Sequence, residues 1–404
     1  MGLRHLPSAQ RTSSVVESLA MLTRRFGRTE IAMPVFSCGG MRYQHTWDDK
    51  TLEGIPAENQ ANLEATIHRA LELGINHIET ARGYGTSERQ LGLVLPKLPR
   101  DKIVVQTKIP PHADSAEFTR QVNDSLDRLQ LDYVDLLGLH GINTHELLWW
   151  STRPGGCLAA ARELQQQGKV RHVGFSTHGS TELILDTIRH DRDGGFDYIN
   201  LHWYYIFQRN WPAIEAASQR DMGVFIISPS DKGGMLYKPS PKLVELCQPL
   251  HPIVFNCLFC LRRPEVHTLS LGASCPTDFD LQCSSLPMLE EVDHLLPPIE
   301  ERMHDAYVQV VGEEYDGLWA EGLPDWEKAP GYMNIPIMLW LRSLALAYDM
   351  TDYAKMRYNL LGNGGHWFPG LNAAHVDELD LDKPLQDSPF AEQIPAWLRE
   401  THEL

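Results

Sequence analysis

Eight short runs of aliphatic and β-branched residues, at 35–38, 76–79, 103–107, 133–139, 171–175, 197–202, 224–228 and 267–271, alternate with longer stretches of helical period. The intervening helices show in the spacing. Leu63, Ile67, Ala70, Leu71 and Leu73 share one face before a stop at Gly74, and Val122, Leu126 and Leu129 repeat that spacing behind an Asp114 cap. Strand and helix in strict alternation predict consecutive β/α units with parallel strands, because a parallel pair needs a crossover long enough for a helix. Eight such units close on themselves, whereas an open doubly wound sheet usually stops at five or six strands.

The expected fold is therefore an α/β protein, a (β/α)8 TIM-type barrel, with a helical C-terminal domain. After Gln282 the pattern changes to helices punctuated by Pro and Gly, clearest at 289–311 and 336–348. This divides the chain into residues 1–20, an extension expected to be disordered, a barrel over 21–285 and a helical domain over 286–404. The first 20 residues hold no acid before Glu17 and lack the apolar stretch of a secretory signal. A formal charge of −17, from 53 acidic and 36 basic residues, argues against nucleic acid as a partner, since phosphate binding draws on clustered Lys and Arg. The longest apolar candidate, 335–348, is broken by Arg342 and Ser343, so no membrane span is expected. Seven cysteines read as reduced thiols of a cytoplasmic protein.

In a barrel of this kind the chemistry gathers at the C-terminal mouth, which makes the polar residues that end strands the candidates. The second run ends at Glu79 and its loop presents Tyr84; the third ends at Lys108 and the fourth at His140. Singly, each could be a loop anchor. Together on neighbouring strands they suit acid–base chemistry: a buried lysine beside a phenol favours the phenolate, and a carboxylate keeps that lysine charged. Tyr84 could then protonate a carbonyl oxygen that His140 orients, while hydride would need a nicotinamide, NAD or NADP, because no side chain supplies one.

The segments carrying these residues resemble the aldo-keto reductase superfamily. INHIETARGYGTSERQLG at 75–92 is similar to the stretch bearing its acid and tyrosine, VVQTK at 104–108 to its lysine strand, and DYVDLLGLH at 132–140 to its histidine strand. GFS at 174–176, SPSDKGGML at 228–236 and LGAS at 271–274 continue the likeness in order. The resemblance implies a catalytic set of Tyr84, Lys108, Glu79 and His140, with Glu79 one methylene longer than the family's usual aspartate. It also implies cofactor contacts from Ser176, Thr177, Asn200, Trp203, Ser228, Lys232, Gly272, Ser274 and Asp278. Asn200 stands where a glutamine commonly holds the carboxamide, and Thr177 where asparagine is common. Trp203 takes the place of the aromatic that stacks on the nicotinamide, and Lys232 that of a pyrophosphate contact. Asp278 falls where NADP-dependent members tend to carry arginine. A carboxylate there would repel a 2′-phosphate and accept a bond from a free ribose hydroxyl, unless a one-residue shift leaves it capping the next helix.

Residues 332–350, with Arg357, Tyr358 and the segment 365–370, resemble the framework of a ferredoxin-like domain that some bacterial members carry. No cysteine follows Cys283, so this degenerate version is expected to hold no iron–sulfur cluster. Cys257, Cys260, Cys275 and Cys283 lack the spacing of a zinc site, and no metal is expected. The pairs His366–Trp367 and Trp149–Trp150 are expected to serve packing. Arg82, His112, His178, His202 and Arg209 are expected near the mouth, which hints at an anionic or polyoxygenated ligand. The resemblance implies an oxidoreductase acting on a small carbonyl or alcohol. The alternative is a cofactor-binding sensor with little activity, or one that meets a protein partner through its C-terminal domain.

Overall fold

The computed structural model describes residues 21–363 and 367–404; the expected extension at 1–20 and His366 lie outside the described residues. An antiparallel hairpin, β1 (Thr23–Arg25) and β2 (Ala32–Pro34), precedes the strands β3 (Phe36–Gly39), β4 (His77–Glu79), β5 (Val104–Ile109), β6 (Val134–Leu139), β7 (Val170–Ser176), β8 (Tyr198–Leu201), β9 (Gly223–Ile226) and β10 (Thr268–Leu271). Strands β3 to β10 form one closed parallel barrel in chain order, with β10 beside β3. All eight expected runs are barrel strands. Asp114 caps the helix Ser115–Leu129 by accepting from the Ala116 amide at 3.0 Å, as its position before the periodic residues predicts.

The hairpin was not legible in the sequence, and it closes the barrel floor. Phe26 from its turn is fully buried with Met33, Leu136, Tyr198 and Phe225. Gly223 at the start of β9 makes room for it, because a Cβ there would meet the Phe26 ring at 2.7 Å. Removing such a ring costs about 3–5 kcal/mol.

Beyond the barrel helix Asp278–Cys283 the chain is helical. The expected continuous helix 289–311 is three pieces, Leu286–Glu291, Val292–Leu295 and Pro297–Val311. Pro297 and Pro298 lack the amide that would carry the ladder through. Helix Ile335–Tyr348, buried along nearly its whole length and capped by Asn334, packs on Pro297–Val311, Thr351–Tyr358 and Ile394–Glu403. The region is tied to the barrel where Trp340 Nε1 donates to the Ile206 carbonyl at 2.6 Å and Arg262 meets Glu300 at 2.7 Å. No helix among the described residues is long and apolar enough to cross a membrane.

Candidate active site

At the C-terminal mouth a cavity is lined by Glu79, Tyr84, Lys108 and His140 from one side and by Ser176, Ser228, Lys232, Ser270 and Gly272 from the other. Glu79 and Lys108 end neighbouring parallel strands. The Lys108 ammonium bonds the Glu79 carboxylate directly and donates to the Thr80 carbonyl at 2.8 Å. Ser270 holds the other carboxylate oxygen at 2.7 Å. The extra methylene of Glu79 is thus accommodated. Space for it comes from Gly39, opposite Glu79 on β3, where a Cβ would lie 2.8 Å from Ser270 Oγ and 3.0 Å from Glu79 Oε1.

Tyr84, half-buried, places its ring 5.0 Å from the Lys108 ammonium and meets His140 edge-on at 5.7 Å. Burial pushes the phenol above its ordinary range, Lys108 pulls it back and Glu79 adds to the rise, so Tyr84 keeps its proton at neutral pH. Burial would lower the Lys108 pKa, but Glu79 and then Tyr84 outweigh it and hold the ammonium charged. Trp47, which the sequence reading missed, stands 6.1 Å from the Tyr84 ring and is 53% exposed at the rim.

Of the other expected positions, Ser176, Ser228, Lys232 and Gly272 line the cavity. Ser176 Oγ also accepts from the Gly141 amide at 3.1 Å. Thr177 is spent on its own loop, donating to the Ile142 carbonyl at 2.7 Å and accepting from the Gly179 amide at 2.9 Å. Asn200 is fully buried on β8, and both its amide nitrogen and its amide oxygen lack a hydrogen-bond partner. Trp203 does not reach the cavity. It packs against Phe259 at 5.0 Å and Trp211 at 5.1 Å, and the apolar side chain on the cavity wall after β9 is Ile227. Trp203 follows β8 by two residues, where the chain has turned toward the surrounding helices.

Asp278 opens the helix Asp278–Cys283 and bonds back to Ser274, from both amide and hydroxyl at 2.8 Å. Arg42, from the loop after β3, meets the same carboxylate at 3.2 Å and bonds the Gly272 carbonyl. The loop after β9 carries Ser228, Asp231, Gly233 and Gly234 at positive φ of 60°, 50°, 84° and 74°. Tight turns of this kind can aim successive backbone amides at an anion.

The remaining polar residues separate. Arg82 pairs with Asp124, and His112 accepts from the Asp114 amide at 2.9 Å, each engaged beside its own loop or helix rather than on the cavity wall. His178 and His202 meet at 2.6 Å, with Lys232 3.3 Å from His178. Phe368 of the helical region lies 5.3 Å from the His202 ring. Arg209 lies in a second cleft, which His178 also borders. Trp149 is 59% exposed rather than packed, because consecutive helical residues point about 100° apart. Cys257 and Cys260 are buried in helix Pro252–Leu261, and among the described residues no group of three or more His, Cys, Asp or Glu could hold a metal ion.

The aldo/keto reductase family profile matches residues 36–236, and the chain belongs to that superfamily. It is similar to L-galactose dehydrogenase of Arabidopsis thaliana, 36% identical over 35% of this chain and 46% of that protein. It is likewise similar to the NADH-specific methylglyoxal reductase of Escherichia coli, 32% identical over 42% of this chain and 56% of that protein. The chain thus spans about half the length of these curated relatives. The holo form of an aldo-keto reductase from Bacillus halodurans superposes with a TM-score of 0.56 at 21% identity, covering 69% of this chain and 97% of that one, a likeness of fold.

Proposed function

We propose that this chain is an NAD(P)-dependent oxidoreductase that reduces an aldehyde or ketone, or runs the reverse oxidation, with Tyr84 as general acid and base. The observation that carries the reading is the Glu79–Lys108 pair set beneath the Tyr84 ring, with His140 at its edge and one cavity in front of all four. A bound nicotinamide supplies the hydride. As the carbonyl oxygen gains charge, the Tyr84 hydroxyl gives it a proton, and the Lys108 ammonium stabilises the phenolate left behind. His140 hydrogen-bonds the same oxygen and fixes its direction. Glu79 touches no substrate; it keeps Lys108 charged and in place.

The residues fit such a cofactor. The Asn200 amide, buried with a donor and an acceptor both unsatisfied, complements a carboxamide, which offers the reciprocal pair. The left-handed loop at 228–234 and Lys232 suit a pyrophosphate. Asp278, held by Ser274, can accept a bond from a free ribose hydroxyl, and because Arg42 at 3.2 Å offsets much of its charge toward a 2′-phosphate, we infer only that NAD(H) binds at least as tightly as NADP(H). The Escherichia coli relative is described as NADH-specific.

A cofactor sensor with little turnover would be favoured by a broken tetrad, and the direct Glu79–Lys108 contact speaks against it. We also propose that the helical region binds no iron–sulfur cluster, for want of thiolates after Cys283; iron and acid-labile sulfide should both be absent from the purified protein. The test of the main reading is turnover of simple aldehydes and ketones with NADH and NADPH. Cofactor binding without oxidation of either against any carbonyl would overturn it.

A further inference from the structure

Behind the barrel wall, on the side of β5 away from the cavity, lies a buried carboxylate that the chemistry at Tyr84 does not touch. Glu88 is 1% exposed, in the short helix Ser87–Leu91 that opens three residues after Tyr84. One of its oxygens accepts from the Thr107 hydroxyl at 2.6 Å and the other from the Ser125 hydroxyl at 3.1 Å. Arg128, on the same helix as Ser125, stands 4.0 Å away. Successive side chains of a strand point to opposite faces, so Thr107 turns out toward Glu88 where Lys108 turns in toward the cavity. Glu88 thus ties the helix that follows Tyr84 to the residue that precedes Lys108.

The tie continues outward. Arg128 also pairs with Asp49 at 2.7 Å and with Asp124 at 2.9 Å. Asp49 lies in the loop after β3 that carries Trp47, and this loop rests on the turn at Tyr84: the Thr86 amide donates to the Thr46 carbonyl at 3.1 Å, and a Cβ at Gly85, whose φ is +53°, would collide with the same oxygen. Burying a carboxylate costs several kcal/mol unless charges and hydrogen bonds offset it, and an apolar side chain of similar size would pack between helix and strand at least as well. What the carboxylate adds is direction, because hydroxyl donors on two different elements fix both of its oxygens. We propose that Glu88 is a positioning residue, which through Thr107 sets the Tyr84 hydroxyl relative to the Lys108 ammonium, and that Arg128 joins the Trp47 loop to the same frame. The proposal rests on reading Tyr84 and Lys108 as the proton-transfer pair; Glu88 itself does not line the cavity. A displacement of about 1 Å at a reacting group can cost about a hundredfold in rate, so such a frame matters to turnover more than to binding.

Thr107→Val removes the donor and keeps the shape. It should lower kcat about tenfold with KM and cofactor affinity unchanged, whereas Thr107→Ser, which keeps the hydroxyl, should retain most of kcat. Glu88→Met leaves Arg128 paired with Asp49 and Asp124 and should show the same loss, while Glu88→Gln, still an acceptor for Thr107, should show much less. Combined, Glu88→Met and Thr107→Val should be no worse than either alone. With Tyr84 displaced, Lys108 pulls less on its phenol, so the pH at which reduction falls off should move up in both single variants. The same rise can be read without turnover from the alkaline absorbance of tyrosinate, as the difference between each protein and its Tyr84→Phe counterpart. A lower melting temperature with kcat and both pH midpoints unchanged makes Glu88 merely structural and overturns the proposal, as does an equal loss in Thr107→Ser and Thr107→Val. If the native chain turns over no carbonyl, the oxidoreductase reading fails, and the absorbance midpoints still judge the placement of Tyr84.

Discussion

The two sides of the barrel mouth are built on opposite electrostatic plans. On the β4–β6 side the charges satisfy one another: Lys108 lies between Glu79 and the Thr80 carbonyl, and Ser270 takes the remaining Glu79 oxygen. On the β7–β9 side polar groups are buried with nothing to bond, as in the Asn200 amide and, further out, Asp325. The first arrangement is complete before anything binds, which suits machinery whose dipoles must not reorganise during reaction. The second is an unfinished network. On the proposed reading, its cost in the isolated chain would be recovered when a bound ligand supplies the missing partners.

The sharpest way to break this contrast is Lys108→Met. It should lower kcat about a thousandfold, since it removes the charge that stabilises the Tyr84 phenolate. It should also destabilise the fold by about 3–5 kcal/mol, because Glu79 is left buried without its counter-ion. Adding Glu79→Gln should recover most of the melting temperature and none of the activity. A folded Lys108→Met protein with normal kcat would remove Lys108 from the chemistry.

Asn200→Leu should act in the reverse sense. The isolated chain should be at least as stable as the native one, since an amide with two unsatisfied groups is gone, while cofactor affinity falls about tenfold. Denaturation and fluorescence titration would measure the two, and cofactor affinity untouched by the change would place Asn200 outside the cofactor site.

A smaller effect is expected at Asp278. Asp278→Arg should move the NADP(H) to NAD(H) affinity ratio toward NADP(H) by about fivefold, the scale of one partly exposed ion pair. Tight NADPH binding by the native chain, unaltered by the substitution, would show that Asp278 does not face the ribose.

The smallest expected effect is a slope in stability with pH. Burial raises the Asp231 carboxyl to about 7, with Arg357 opposing the rise. Between about pH 4, where the unfolded chain releases this proton, and about pH 7, the native state holds a proton that the unfolded state does not. Stability attributable to this group is therefore fully present below pH 4 and lost as the pH rises toward 7. Urea titrations across that window should show the slope in the native chain and a flatter line in Asp231→Asn; equal slopes would mean that the carboxyl titrates normally.

Much of this molecule is legible in its sequence. The eight strands follow from hydrophobic period alone, and Glu79, Lys108 and His140 could be found because a parallel barrel delivers strand ends to one face. Local pattern encodes which element forms and which side of it is buried. It does not encode which residues meet after the barrel closes. Arg42 reaches Asp278 across 236 positions of sequence, Gly39 yields the space that Glu79 needs, and Phe26 plugs the floor beneath β9. The place of Trp203 in its motif predicts a stacking platform, but the turn two residues past β8 sends it into packing with Phe259 and leaves Ile227 on the cavity wall. The sequence by itself thus determined the barrel and the charged edge of its mouth. Only the tertiary structure decided the loop paths and side-chain contacts on the other edge, because these depend on closure register and domain docking between residues far apart in the chain.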